Sequence, residues 1–175
     1  MRVVVKFVLF FVFASCSNIK VLNDRNFYSA EFLQKIESIQ VIYKDGDKKL
    51  ALTKLDQIFD NTITKAELAK KYNLKGIIYF SLRNLEIAIE NFEVASKNVD
   101  KDLFLANKIH LNLASSFYKL DRFESTLSQL KLIDAGYLKN KEITNYHKLS
   151  FSVGNQLGDY KSVVSSLVFL TRKID

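Results

Sequence analysis

The sequence has a single cysteine, only two histidines and five glycines, and it contains neither proline nor tryptophan. One cysteine, Cys16, excludes a disulfide bond within one molecule. The glycines form no phosphate-binding loop, because Gly154 and Gly158 flank Asn-Gln-Leu and no Lys-Ser or Lys-Thr follows. His110 and His147 belong to no His-Glu-x-x-His motif. The chain therefore lacks the sequence signatures of P-loop nucleotide-binding proteins and of zinc peptidases.

The other candidates for catalysis have simpler interpretations. Glu86, Glu90 and Glu93 are spaced as one ridge of a helix, but nothing in the sequence implies an apolar pocket that would shift their pKa values. We interpret them as a solvated helix face rather than a catalytic pair. We interpret the two histidines as packing residues between helices rather than as metal ligands or acid–base groups. The prediction is a protein that is not an enzyme, with no catalytic residues, no metal site and no cofactor.

Positive charge is in moderate excess, with 26 Lys and Arg against 19 Asp and Glu, which gives a formal net charge of +7. The positive residues are spread along the chain rather than gathered in one run, unlike a nucleic-acid-binding segment. We therefore expect no nucleic-acid partner. Anionic lipid head groups or acidic protein segments fit a general positive field better.

The first residues have the pattern of an export signal. Two basic residues accompany an otherwise apolar stretch over residues 3–14, which is too short to span a bilayer comfortably. The sequence Phe13-Ala14-Ser15-Cys16 then resembles a bacterial lipobox, in which small residues precede a cysteine that is diacylated and becomes the new N-terminus. The resemblance implies a lipoprotein signal peptide at residues 1–15. It also implies a lipidated Cys16 with a short tether, over residues 16–26.

The lipobox resemblance also implies a location. Ser17 follows the cysteine where an inner-membrane retention signal has aspartate, so we expect an exported protein, anchored at the periplasmic face of the outer membrane. Several acyl chains, palmitate among them, hold a protein more firmly than one. The alternatives are a non-lipidated export signal and an uncleaved anchor, with Cys16 incidental in both. Loss of Arg2 and Lys6 with the signal peptide lowers the formal charge from +7 to +5.

Downstream, one pattern of small, aromatic and aliphatic residues returns at a nearly fixed interval. Its clearest copy is Gly76, Tyr79, Ala88, Phe92 and Ala95. Equivalent sets lie at intervals of 37 or 38 residues: Ile39, Ile42, Ala51, Leu55 and Ile58; Ala114, Phe117, Thr126, Leu130 and Ile133; and Phe151, Gly154, Val163, Leu167 and Leu170. Spacings of three and four residues predict amphipathic helices. Turns are predicted where Gly, Asn or Asp can adopt or cap a left-handed conformation, at Gly46-Asp47, Arg83-Asn84, Asp121-Arg122 and Gly158-Asp159.

This pattern resembles the tetratricopeptide repeat, a helix–turn–helix unit with small and aromatic residues at these positions. The resemblance implies an all-α chain that forms a right-handed α-solenoid of about four repeats, over residues 27–175. The repeats are placed at about 32–65, 69–102, 107–140 and 144–175. One unit cannot bury its apolar face alone, so stacking of units must supply the stability. The alternative is an unrelated all-α bundle whose amphipathic helices imitate a repeat.

In tetratricopeptide arrays the first helix of each pair lines a concave groove, so the resemblance also implies groove positions. By position these are Leu33, Ile36, Gln40, Tyr43, Lys44, Lys70, Asn73, Ile77, Phe80, Ser81, Lys108, Leu111, Ser115, Tyr118, Lys119, Asn145, Lys148, Ser152, Asn155 and Gln156. We take nine as the candidate partner site: Tyr43, Lys44, Lys70, Asn73, Phe80, Lys108, Tyr118, Lys119 and Lys148. None is acidic; lysines can pair with carboxylates, amides can bond a peptide backbone, and aromatic rings can anchor an apolar side chain. The expected ligand is an extended acidic or carboxyl-terminal peptide, and a merely soluble Lys/Asn face is the alternative.

Together these features lead us to expect a membrane-anchored scaffold or adaptor of the bacterial cell envelope that binds other envelope proteins or peptides. One alternative is a component of the outer-membrane β-barrel assembly machinery, whose repeat lipoprotein also has an acylated cysteine before its repeats. Others are a partner of cell-wall synthesis enzymes and a surface-exposed lipoprotein that contacts a host or the environment. The last unit ends in Leu167, Phe169, Leu170 and Ile174 without a further helix, which favours a homodimer or a docking contact through the C-terminal repeat.

Overall fold

The computed structural model describes residues 27–172, and that part of the chain is helical without a strand. The predicted all-α class is therefore confirmed. The eight helices are α1 (Ala30–Lys44), α2 (Lys48–Asp56), α3 (Lys65–Ser81), α4 (Leu85–Asn98), α5 (Leu103–Lys119), α6 (Phe123–Leu130), α7 (Asn140–Leu157) and α8 (Tyr160–Thr171). The predicted signal peptide, Cys16 and the predicted tether lie outside the described residues. Of the helices in residues 27–172, none is both long and apolar enough to cross a bilayer.

Side-chain caps set where the first helix of a pair begins. The Asp102 carboxylate accepts the N–H of Leu105 at 2.9 Å. The Thr64 hydroxyl accepts the N–H of Glu67 at 3.2 Å, and the Glu67 carboxylate accepts the N–H of Thr64 at 2.9 Å, which closes a capping box. With these caps α3 and α5 each begin four residues before the predicted repeats at 69 and 107, while α1 begins two residues before residue 32.

The four turns inside the helix pairs share one backbone conformation. Each contains a residue with positive φ: Gly46 at 101°, Arg83 at 62°, Asp121 at 55° and Gly158 at 71°. In each turn the next residue donates its N–H to the carbonyl five positions earlier: Asp47 to Ile42, Asn84 to Tyr79, Arg122 to Phe117 and Asp159 to Gly154. This is the hydrogen bond of a Schellman motif, which ends a helix at a left-handed residue. The predicted turns are therefore confirmed at all four places, but in the second turn the left-handed residue is Arg83 and not Asn84, whose φ is −84°.

The helices pack in neighbouring pairs, and the pairs are themselves in contact. Each helix contacts the next along the chain, and the first helices of successive pairs, α1, α3, α5 and α7, also contact one another. The buried apolar residues form three clusters, which join α1 and α2 to α3, α3 and α4 to α5, and α5 and α6 to α7. The core therefore runs across the junctions between pairs instead of lying within each pair alone.

Helices α3 and α4 approach closely where a glycine faces a phenylalanine. A methyl group placed on Gly76 would lie 2.5 Å from two ring carbons of Phe92. Phe92 is only 1% exposed, so its ring has little freedom to move away. Ala114 and Leu130 occupy the equivalent positions in the next pair, where an alanine is accommodated beside a smaller side chain.

We expect Gly76→Ala to destabilise the chain by up to about 2 kcal/mol, because overpacking costs about 1–3 kcal/mol and a better helix propensity returns only about 1 kcal/mol. Urea denaturation measures the change. The double variant Gly76→Ala/Phe92→Leu copies the pair Ala114 and Leu130, and it should be more stable than the sum of the two single changes by about 1 kcal/mol or more. Strictly additive effects would contradict the close approach.

Candidate partner groove

A cavity of 460 Å³ opens between the first helices of the last three pairs. It is lined by Ile77, Phe80, Phe92, Asn112, Ser115, Tyr118, Lys119, Asn145, Lys148, Leu149 and Ser152. Except for Phe92, which reaches it from α4, these residues belong to α3, α5 and α7. The contacts between first helices of successive pairs therefore place one wall of the cavity on each of three helices.

The structure brings four of the nine candidate residues together in this cavity. Phe80 lies near the end of α3, Tyr118 and Lys119 near the end of α5, and Lys148 in the middle of α7. Four further groove positions named from the sequence also line it: Ile77, Ser115, Asn145 and Ser152. The lining thus combines two cationic side chains with aromatic rings and amide or hydroxyl groups.

The other five candidates lie outside the cavity lining. Lys70 places its Nζ 4.1 Å from the ring centroid of Tyr28, and Lys108 forms an ion pair with Glu142 at 3.2 Å. Asn73 is buried, and its Oδ1 accepts the Nδ2 of the cavity residue Asn112 at 2.9 Å. The remaining two lie on α1: Tyr43 is half-buried against the first core cluster, and Lys44 is exposed at the end of the helix. The cavity therefore gathers candidate residues from the last three pairs only.

The polar groups of the lining are partly held by hydrogen bonds within the protein. The Ser115 hydroxyl donates to the carbonyl of Leu111 at 2.8 Å and accepts the Nδ2 of Asn145 at 3.4 Å. Among the eleven lining residues, all within the described chain, none carries a negative charge. A carboxylate that entered beside Lys119 or Lys148 would meet no like charge from the wall.

Asn112, Phe92 and Leu149 line the cavity but were not among the groove positions named from the sequence. A signal for Asn112 exists in the sequence, because Asn112, Ser115 and Lys119 are spaced by three and four residues and so share one helix face. Phe92 has the sequence pattern of a core residue, and its contribution arises because its ring reaches between α3 and α5. That contact depends on how the pairs stack.

Both histidines lie between the two helices of a pair and away from the cavity lining. The Nδ1 of His110 is 2.9 Å from the Oε1 of Gln129 on α6. The ring of His147 stacks on Phe169 of α8, with 3.9 Å between ring centroids, and burial lowers the pKa of His147. Within residues 27–172, no three His, Cys, Asp or Glu side chains are grouped so as to hold a metal ion.

The chain matches no protein-family model, no curated protein and no solved structure. The binding chemistry of the cavity is therefore inferred from its own side chains. Two lysines, four asparagine or serine side chains on α5 and α7, and aromatic rings from α3, α4 and α5 form one concave surface. That surface can accept carboxylates and peptide amides, and it can cover an apolar side chain.

Proposed function

We propose that this chain is a tetratricopeptide-like scaffold of the bacterial cell envelope. It is held at the periplasmic face of the outer membrane by acylated Cys16, and its groove binds a partner protein through an extended acidic or carboxyl-terminal peptide. The observation that carries the proposal is the 460 Å³ cavity. Its walls hold Lys119 and Lys148, and none of its lining residues, all of which lie in the described part of the chain, is acidic. The role is binding rather than catalysis.

Three features support a solenoid of four repeats. The left-handed turn residues Gly46, Arg83, Asp121 and Gly158 follow one another at intervals of 37, 38 and 37 residues. The same hydrogen bond across each turn gives the second helix the same start relative to the first. The first helices of successive pairs touch one another, which is the arrangement expected when pairs stack in one direction and form a concave surface.

The shape and charge of the cavity favour a peptide over a small metabolite. The cavity lies along three successive helices, and an extended chain that follows them would meet α3, α5 and α7 in turn. Lys119 is exposed at the end of α5, and Lys148 is exposed on α7, so both ammonium groups are available to carboxylates. Phe80 and Tyr118 are half-buried and can pack on an apolar side chain between the charged groups.

We expect the double variant Lys119→Glu/Lys148→Glu to bind acidic peptides about tenfold or more weakly than the natural chain. The probes are fluorescent acidic decapeptides with free or amidated carboxyl termini, measured by anisotropy at two salt concentrations. Lys54→Glu/Lys97→Glu is the matched control, because it makes the same change of charge at exposed positions on α2 and α4. An equal loss of affinity in both variants would point to the general field and would refute the groove.

A further inference from the structure

The outward face of α8 carries a stripe of exposed apolar side chains. Tyr160, Val164, Leu167 and Val168 are 75%, 59%, 48% and 43% exposed. At 100° per residue these four positions lie on one face of the helix. None of them lines the cavity, so this stripe is a surface separate from the proposed groove.

Three positions on or just after the second helix of each preceding pair are covered, and Leu167 of the stripe is the counterpart of one of them. The nine residues there are Ala51, Leu55, Ile58, Ala88, Phe92, Ala95, Thr126, Leu130 and Ile133. None is more than 9% exposed. Their counterparts in the last pair are Val163, Leu167 and Leu170, of which Leu167 is half exposed and the other two are only partly buried. Val164 of the stripe follows the same rule, because its counterparts Leu52, Ile89 and Leu127 belong to the core clusters or pack against them. Val168 differs, because its counterparts Asp56, Glu93 and Lys131 are exposed. At Val164 and Leu167 the last pair thus exposes positions that the fold covers elsewhere.

Each of these three faces is covered by the first helix of its own pair and by the first helix of the next pair. The covering helices contribute aliphatic residues four positions apart: Leu74 and Ile78 from α3, Leu105, Ile109 and Leu113 from α5, and Leu149 and Val153 from α7. The partner that fits the exposed face of a second helix is therefore an amphipathic helix with aliphatic residues at i and i+4.

The charges around the stripe indicate which kind of helix would fit. Lys161 and Arg172 both fall next to Val168 on one border of the stripe, and α8 contains no acidic residue from Tyr160 to Thr171. Two copies of α8 packed antiparallel would bring their Lys161 and Arg172 borders together, since the twofold axis places the same border of each helix on the same side. Repulsion between these cations disfavours an antiparallel second copy, whereas acidic residues on a partner would be attracted.

We propose that this face of α8 is a docking site for an amphipathic helix of another protein, with aliphatic residues four apart and acidic residues along one border. The docked helix takes the place that α3, α5 and α7 take on the preceding pairs. The site depends neither on the lipid anchor nor on a ligand in the groove. It would give the chain two separate protein-binding surfaces.

The probe is a labelled synthetic peptide with the sequence of residues 102–119 and the changes Lys108→Glu and Lys119→Glu. Both changes lie on the same border of the peptide's apolar face, which Leu105, Ile109 and Leu113 form. A peptide with the natural lysines and a scrambled peptide are the comparisons. Fluorescence anisotropy with the full chain should show saturable binding that is tightest for the acidic peptide.

In the variant Val164→Asp/Leu167→Asp this binding should weaken about tenfold or more. Ile87→Asp is the control, because Ile87 on α4 is 41% exposed and lies outside the stripe. The variant Lys161→Glu/Arg172→Glu should prefer the peptide with the natural lysines. Three results would overturn the proposal: no saturable binding up to about 1 mM, binding unaffected by Val164→Asp/Leu167→Asp, or a dimer in sedimentation analysis that this variant abolishes.

Discussion

Replacement of Phe92 by alanine is expected to destabilise the chain by about 3–5 kcal/mol, the range for loss of a buried phenylalanine ring. Phe92 is 1% exposed and belongs to the core cluster that joins α3 and α4 to α5. Its ring also faces Gly76 and forms part of the cavity wall. The missing ring would therefore leave a void at the junction of two helix pairs.

Urea denaturation measures this loss, and Phe59→Ala is the matched control because Phe59 is 67% exposed. The control should change the free energy of unfolding by no more than about 0.5 kcal/mol. If Phe92→Ala costs less than about 1 kcal/mol, the junction between the pairs is not packed as described. A variant too unstable to study can be replaced by Phe92→Leu, which should give a smaller loss in the same direction.

The second large effect is expected at Glu67, whose replacement by alanine should cost about 2–3 kcal/mol. Its carboxylate accepts the N–H of Ser29 at 2.8 Å, the hydroxyl of Ser29 at 2.6 Å and the N–H of Thr64 at 2.9 Å. Ser29 is the N-cap of α1 and Thr64 is the N-cap of α3. One buried carboxylate therefore stabilises the first turn of two neighbouring helices, and its removal leaves both starts with unpaired donors.

The pH dependence separates the charge of Glu67 from its packing. Burial acts to raise the pKa of Glu67, but hydrogen bonds from Ser29 and Thr64 outweigh it, and the net pKa is lowered below 4.5. A lowered pKa gives stability that is fully present above the unfolded value and is lost as the pH falls through the folded value. The natural chain should therefore exceed Glu67→Gln in stability at pH 7, and the difference should shrink below pH 4.5. A difference independent of pH would contradict the role of the charge.

Much of the fold could be predicted because it depends on short, local patterns. A glycine or aspartate that can be left-handed stands before three of the second helices, at Gly46, Asp121 and Gly158, and the structure has it in that conformation. Before α4 that residue is Arg83, which the sequence does not mark. The small residue Gly76 and the aromatic Phe92 indicate close helix packing in the same way. Repetition strengthens each of these signals, since one pair can be compared with the next.

Contacts between distant, non-repeating residues could not be predicted. The Tyr28 hydroxyl donates to the Asp102 carboxylate, which is 74 residues away in the sequence. The ammonium group of Lys70 lies over the ring of the same tyrosine. Lys71 is buried and donates to the carbonyl of Ile58, where a helical pattern alone would not place a charged group. Such contacts explain why Lys70, a candidate for the groove, lies against another part of the protein instead.

The site was predictable where it follows from the positions of first helices and not elsewhere. Phe80, Tyr118, Lys119 and Lys148 meet because α3, α5 and α7 are in contact. Asn112 and Leu149 also line the cavity because of how each helix is rotated about its own axis. A repeat pattern fixes that rotation only to within about one position. That these residues bind a partner stays a prediction.

The central claim is that the cavity holds the partner, and photo-crosslinking in membranes tests it most directly. A photoreactive residue at Ser152 lies in the cavity wall, and one at the exposed Glu90 on α4 lies outside it. We predict one dominant protein adduct from position 152 that is lost in Lys119→Glu/Lys148→Glu and kept in Lys54→Glu/Lys97→Glu. Adducts of equal strength from both positions, or an adduct from position 152 that survives the loss of both lysines, would contradict the account.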